Sequence, residues 1–254
     1  RQGFSPAFFR AEVAAAGGRG YAALGRRSEY PLAETGRTVY SEQIGRGNME
    51  TFQLYFELIG AVAFAISGAA LGIRKGMDLF GVAMVGMTTA VGGGILRDVM
   101  LGQTPPAALR DPAQALVAIA VSVLCFYIWR WRKTELHNRY ADAVLLVADS
   151  IGLGIFSAHG AAIAIQAGYG ANWFLVLLLG TVTGVGGGVL RDVCCMERPY
   201  IFTKHIYACA SLAGAAVCRA LWPLGMGLAM LAGCGVTVVI RICAATFRWS
   251  FPKA

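Results

Sequence analysis

Six ionisable residues, Glu57, Arg97, Asp98, Asp149, Arg191 and Asp192, lie inside or at the ends of long apolar runs. A charge at membrane depth is costly, and it ordinarily faces an opposite charge, water or a permeating species. The chemistry open to such a set is electrostatic: pairing that holds helices in register, or attraction of an ion to a wet path. Glu57 lies about five residues into the first run and Arg97 about four from the matching end of the second, so their depths agree. Asp149, about eight residues into the fourth run, and Arg191, at the end of the fifth, stand in the same relation at the other face. The expectation is two equivalent ion pairs, Glu57 with Arg97 and Asp149 with Arg191, leaving Asp98 and Asp192 free near the mouths of a pathway. The plainer readings are snorkelling to the interface and boundary marking by adjacent Arg and Asp. No nucleophile stands beside a base, so no catalytic residue, enzyme activity, cofactor or metal is expected.

The arginines close a phrase that is written twice. Ala90-Val91-Gly92-Gly93-Gly94-Ile95-Leu96-Arg97-Asp98 recurs about 94 positions later as Gly184-Val185-Gly186-Gly187-Gly188-Val189-Leu190-Arg191-Asp192. Each glycine costs about 1 kcal/mol of helix propensity, and three in a row do not share a helix face. The triplets therefore predict a functional kink in each helix, with backbone hydrogen bonds lost where lipid cannot replace them. Carbonyls freed before such a break would offer partial negative charge to a partly dehydrated cation. Thr88, Thr89, Thr181 and Thr183, about one turn upstream, would add hydroxyl oxygens or satisfy the freed backbone. The competing reading is close helix packing, since spacings such as Gly68-x-x-x-Gly72 and Gly180-x-x-x-Gly184 let membrane helices approach.

The elements that must position these residues are membrane helices. The chain is 57% hydrophobic and 14% charged, against roughly 25% charged in soluble domains. Seven runs approach the roughly 20 residues that a bilayer core requires: 52–73, 77–101, 111–131, 141–166, 171–193, 202–222 and 225–247. The duplication takes in the first six, because Glu57-Leu58-Ile59-Gly60 and Phe64 to Ala70 align with Asp149-Ser150-Ile151-Gly152 and Phe156 to Ala162. Three spans per copy force the copies into opposite orientations. The expected organisation is an accessory or poorly ordered extension over 1–48, repeats over 49–133 and 134–222, and a seventh helix with a tail over 223–254. The unpaired seventh helix is expected to serve assembly. Met49 is an alternative natural start, which would make 1–48 an extension of the native chain.

The net charge of +8 would suggest nucleic acid in a soluble domain, but here the basic residues sit in the tail and between the apolar runs, so no nucleic-acid partner is expected. Arg74, Lys75, Arg130, Arg132, Lys133, Arg139, Arg191, Arg198, Lys204 and Arg248 fall on one side, and chiefly Arg97, Arg110 and Arg219 on the other. The richer side is read as cytoplasmic, with the start of the first span outside and the C-terminus inside. Arg37 and Arg46 weigh against that orientation without reversing it. The seven cysteines lack CxxC spacing and read as small buried side chains. His159 aligns with Ser67 and reads as a helix-helix hydrogen bond or a pathway wall; His137 and His205 carry no metal pattern.

Phe64-Ala65-Ile66-Ser67-Gly68-Ala69, Gly72 to Gly81 and the doubled Gly-Gly-Gly-x-Leu-Arg-Asp resemble the bacterial membrane family catalogued under a "glycine transporter" domain, related to the trimeric intracellular cation channels. The resemblance covers about residues 52–247. It implies an all-α integral membrane protein of the bacterial inner membrane: a seven-helix protomer with two inverted three-helix repeats plus a final helix, assembled as a homotrimer. It further implies a pore in each protomer for monovalent cations, potassium and sodium, past kinks at Gly92, Gly93 and Gly94 and at Gly186, Gly187 and Gly188, with Ser67 and His159 in the pathway wall. Eukaryotic relatives carry a basic lipid-headgroup motif near the kink, where this chain has Ile95-Leu96 and Val189-Leu190. Phosphoinositide dependence is therefore not expected. Inverted repeats with broken helices are equally a signature of alternating access, so the second expectation is a secondary transporter of glycine or another small solute.

Overall fold

The computed structural model describes residues 32–132, 139–203, 206–247 and 249. Residues 1–31, Lys133, His137, Lys204, His205 and Arg248 lie outside the described residues, as do the side chains of Arg37, Arg46, Arg132 and Arg139. The chain divides into two units, Arg1–Gly45 and Arg46–Ala254, and the second holds all the membrane spans. The long helices are α1 (Leu32–Arg74), α2 (Leu79–Met100), α3 (Ala113–Arg132), α4 (Arg139–Ala164), α5 (Trp173–Cys194), α6 (Tyr207–Leu221) and α7 (Met226–Thr246). Among the described residues seven segments are long and apolar enough to cross a membrane, from Met49–Arg74 to Met226–Thr246. The sixth starts at Tyr207 rather than near 202, because Tyr200–Thr203 forms a one-turn helix of its own.

α2 and α5 are one design built twice. Asp78 caps α2 by accepting from Gly81 N at 2.8 Å, and Asn172 caps α5 by accepting from Leu175 N at 3.1 Å, each satisfying one of the orphan donors of a helix start. Both helices end in a left-handed residue, Gly102 at φ 71° and Met196 at φ 53°. There the amides of Gln103 and Glu197 turn back to Asp98 O and Asp192 O, each at 2.8 Å. Glycine takes that conformation freely, whereas Met196 holds it against a Cβ penalty.

The two glycine triplets lie inside uninterrupted α-helix, and none of their residues has positive φ. The expected loss of backbone hydrogen bonds is not what these helices show. What the triplets do is let α2 and α5 cross backbone to backbone. A Cβ on Gly93 would strike the Thr183 carbonyl, and one on Gly187 would strike the Thr89 carbonyl. A Cβ on Gly186 would sit 2.9 Å from Leu96 Cδ1 and 3.2 Å from Gly93 Cα. Each contact on one helix thus has its counterpart on the other. Phe64 of α1 and Phe156 of α4, aligned in the duplication, stack on each other with centroids 5.2 Å apart, alongside the crossing.

α7 packs against α6 and α4 of the same chain. Glycine contacts seat it against α6, where Cβ atoms on Gly214 and Gly233 would each meet the other's carbonyl at 2.6 Å, and against α4, where one on Gly154 would meet Cys234 O at 2.8 Å. Its buried Arg241 therefore reaches the interior from a fixed position. Exposed apolar side chains such as Phe80, Leu116, Phe174 and Val239 cover the outside, as a lipid-facing surface requires.

Candidate functional site

The ionisable residues form two half-sites, one at each end of the α2/α5 crossing. At the first, Arg97 grips its neighbour Asp98 through Nε at 2.8 Å and Nη2 at 2.7 Å, and the Asp98 carboxylate also accepts from Ala107 N at 2.8 Å. At the second, Arg191 grips Asp192 through Nε at 2.9 Å and Nη2 at 2.8 Å, and Asp192 accepts from Tyr200 N at 2.9 Å. Asp98 and Asp192 are buried, 1% and 0% exposed. They are not free carboxylates at a pathway mouth. Each is consumed in fixing the arginine beside it and in capping the turn that follows its helix.

The remaining guanidinium nitrogen crosses to the other repeat. Arg191 Nη1 donates to Ser67 Oγ on α1, and Arg97 Nη1 lies 3.4 Å from His159 Nδ1 on α4. Ser67 and His159 are aligned positions, so the exchange follows the duplication. Both are buried, and each meets an arginine at membrane depth.

The half-sites differ at their acids. Arg191 Nη1 is 2.6 Å from Asp149 Oδ1, and neither side chain is exposed to solvent. Asp149 also accepts from Tyr207 Oη at 3.2 Å and lies 3.4 Å from Arg241 Nη2. The expected counterpart, Glu57 with Arg97, does not form: Arg97 is engaged by Asp98, and Glu57 has no ion-pair partner within 4 Å among the described residues. Glu57 instead lines a cavity of about 470 Å³ with Glu50, Gln53, Arg97, His159 and Gln166. Gln53 donates to Gln166 at 3.1 Å across its outer wall. A Cβ placed on Gly94 would have only Arg97 Nη2, part of a cavity-lining side chain, as near as 3.8 Å, whereas Gly188 is covered by the Tyr207 hydroxyl.

The threonines take structural roles where their partners are defined. Thr89 Oγ1 donates to Val85 O and Thr183 Oγ1 to Leu179 O, both at 2.6 Å, and the carbonyls of both abut the facing glycines. Thr88 is half-buried; Thr181 Oγ1 is buried with no hydrogen-bond partner among the described residues. Beyond the sequence-predicted set, the structure adds Tyr207 and Arg241 to the sealed half-site, and Gln53 and Gln166 to the open one. Arg241 is the one intramembrane cation of the last span, which is the signal that would have found it.

At the sealed end two exposed ion pairs, Arg74 with Asp142 at 2.6 Å and Lys75 with Glu197, tie α1 to α4 and to the turn after α5. The hydrogen bond from Lys75 holds the Glu197 carboxyl below the usual carboxylate range. Among the described residues no group of three or more His, Cys, Asp or Glu side chains could hold a metal ion.

The same sequence blocks that build these half-sites match the family described as Glycine transporter, twice, over residues 54–130 and 146–223. The chain belongs to that family. Each match takes in three of the spans and leaves α7 outside. Among its relatives, the UPF0126 inner membrane protein YadS of Escherichia coli K12 is 35% identical over 77% of this chain and 91% of its own length. The architecture is also that of TRIC cation channels. One solved TRIC structure is 37% identical with a TM-score of 0.68, covering 79% of this chain and 96% of that one. The TRIC trimeric intracellular cation channel orthologue of Rhodobacter sphaeroides is 32% identical with a TM-score of 0.71, covering 78% and 100%.

Proposed function

We propose that this protein is a channel for monovalent cations, potassium and sodium, with a separate pathway in each protomer of a homotrimer in the bacterial inner membrane. The observation that carries the reading is the polar vestibule, whose Glu57 carboxylate has no ion-pair partner among the described residues and whose wall includes Arg97 and His159, which meet across the two repeats. Arg97 and Asp98 neutralise each other, so Glu57 and Glu50 leave this mouth negative. A negative mouth with low-dielectric walls concentrates cations and repels anions. The likeness to TRIC cation channels supports the same conclusion, and the trimeric Rhodobacter orthologue supports the assembly.

In this reading 49–133 and 134–222 are inverted repeats, 223–254 adds α7 and the tail, and 1–48 is an accessory extension. An odd number of spans in each copy inverts the second, and the exchange of partners between Gly93 with Thr183 and Gly187 with Thr89 is what a two-fold relation requires. The vestibule faces outward with the start of α1, and the end bearing Arg74, Lys75, Arg130 and Arg198 faces the cytoplasm. The pathway passes Gly92, Gly93 and Gly94 and then Gly186, Gly187 and Gly188. With no Cβ of their own at Gly93 and Gly187, α2 and α5 bring their backbones together at that crossing.

Rubidium efflux from proteoliposomes tests the reading. Wild-type protein should release rubidium without a coupled gradient and without saturating glycine uptake. Glu57→Gln should slow efflux about threefold to tenfold at low ionic strength, with the difference shrinking as salt screens the mouth. Efflux from the variant equal to wild type at all salt concentrations would remove Glu57 from the pathway. Saturable, gradient-dependent glycine uptake without rubidium efflux would favour a transporter.

A further inference from the structure

We propose that Arg241, on the span that has no counterpart in the repeats, is the latch that holds the cytoplasmic half-site closed. The proposal rests on the channel reading for what is being closed, and on the comparison of the two half-sites for how. Arg97, Asp98 and Glu57 carry one net negative charge. Their aligned equivalents Arg191, Asp192 and Asp149 would carry the same, and Arg241 cancels it. The two ends of the pathway therefore differ in charge because α7 adds a guanidinium at one of them.

Arg241 is 3% exposed, places Nη2 3.4 Å from Asp149 Oδ2, and stacks its guanidinium 4.6 Å from the centre of the Tyr207 ring. Tyr207 in turn donates to Asp149 Oδ1 at 3.2 Å and puts its hydroxyl over Gly188. Asp149, Tyr207 and Arg241 thus form a closed set of contacts across α4, α6 and α7, and Tyr207 is the member that covers the pathway wall. In the first repeat the position of Tyr207 is taken by Gln114, when Ser122 and Ala215, which pack on Gly86 and Gly180, are aligned. Gln114 donates to Ala90 O at 3.3 Å and does not come within 4 Å of a Cβ placed on Gly94.

Arg241 cannot swing away freely, because the glycine contacts of α7 with α4 and α6 fix its helix. Opening therefore means giving up the Arg241 contacts to Asp149 and Tyr207. Without the guanidinium, Tyr207 loses its cation-π partner, Asp149 keeps Arg191, and the cytoplasmic half-site takes on the net charge of its aligned set, Arg97, Asp98 and Glu57. The latch acts through Tyr207 and Asp149, so Arg241 is a positioning residue.

The test compares Arg241→Met, Arg241→Lys and Tyr207→Phe in the full chain, purified and recorded in planar bilayers. Arg241→Met should raise open probability about tenfold, within the range one coupling ordinarily commands. Arg241→Lys, which keeps the charge, should stay nearer wild type. A folded Arg241→Met protein with wild-type open probability would overturn the latch. Should Arg241→Met fail to fold, Tyr207→Phe, which removes the hydroxyl over Gly188 and leaves every charge in place, should give the same rise, and wild-type open probability in that variant would equally overturn the latch. A second readout is independent of current. Ser67→Cys, buried behind the sealed half-site, should react faster with a cationic thiol reagent from the cytoplasmic side when Arg241→Met is added, measured peptide by peptide in proteoliposomes by mass spectrometry. Faster labelling in a protein that passes no current would sink the channel reading and keep the latch; unchanged labelling would sink the latch.

Discussion

Gly93→Ala and Gly187→Ala should each destabilise the protein by about 3 kcal/mol, the upper part of the usual range for overpacking. The added methyl group has nowhere to go. On Gly93 it meets the Thr183 carbonyl; on Gly187 it meets the Thr89 carbonyl and lies 3.0 and 3.2 Å from two Phe64 ring carbons. A backbone carbonyl in the middle of a packed helix cannot rotate aside as a side chain can, so α2 and α5 must separate along the crossing. Two controls isolate this steric effect from the helix propensity of alanine. Gly235→Ala, on an open face of α7 with nothing within 4 Å, should stabilise by up to about 1 kcal/mol. Gly94→Ala, which meets only Arg97 Nη2 at 3.8 Å, should fold normally. Thermal unfolding in detergent micelles measures all four. A Gly93→Ala protein with the midpoint of wild type would mean that the helices do not cross as described.

Asp149→Ala should also cost about 3 kcal/mol, by a different route. Asp149 faces Arg191, Arg241 and the Tyr207 hydroxyl in a space with no solvent exposure. Removing one member of a buried ionic set is far costlier than the set is worth intact, because the partners stay desolvated and uncompensated. Here Arg191 would keep Asp192, and Arg241 would have no carboxylate within 4 Å among the described residues. Glu57→Ala, at the aligned position, should change stability by no more than about 0.5 kcal/mol, as surface substitutions do, because Glu57 has no ion-pair partner among the described residues and borders an open cavity. A common thermal-shift experiment on the two variants gives the comparison. Equal losses would mean that the half-sites are equivalent and that the seal around Asp149 is not as described.

That contrast also marks how far the sequence can be read. The seven spans, the doubling and the pairing of depths follow from hydropathy and from repetition of a nine-residue phrase, both local properties of the chain. Asp149 beside Arg191 is legible because aligned depths put an acid and a base on facing helices. The same reasoning puts Glu57 against Arg97 and does not anticipate that Arg97 turns to Asp98 and His159. Which of two nearby carboxylates an arginine grips depends on side-chain geometry and on the amide of Ala107, which a one-dimensional depth does not contain.

The triplets read as helix breaks in the sequence because glycine propensity is a property of single positions. Their service as a crossing depends on a second helix lying 94 residues away in the chain. Two aligned helices that meet each other must exchange partners, and that reasoning, applied to Ser67 and His159, assigns each to the arginine of the other repeat. Arg241 has no such route to a partner. It lies outside the duplication, and its position against Asp149 is set by the packing of α7 on α4 and α6.

Single-channel recording reads the proposed passage of monovalent cations down their gradient without intermediate steps. Purified full-length protein in a planar bilayer, under a potassium gradient and stepped voltage, should give discrete unitary currents that reverse near the potassium potential. Currents reversing at the anion potential, or silence from protein shown to be folded, inserted and active in glycine uptake, would contradict the account.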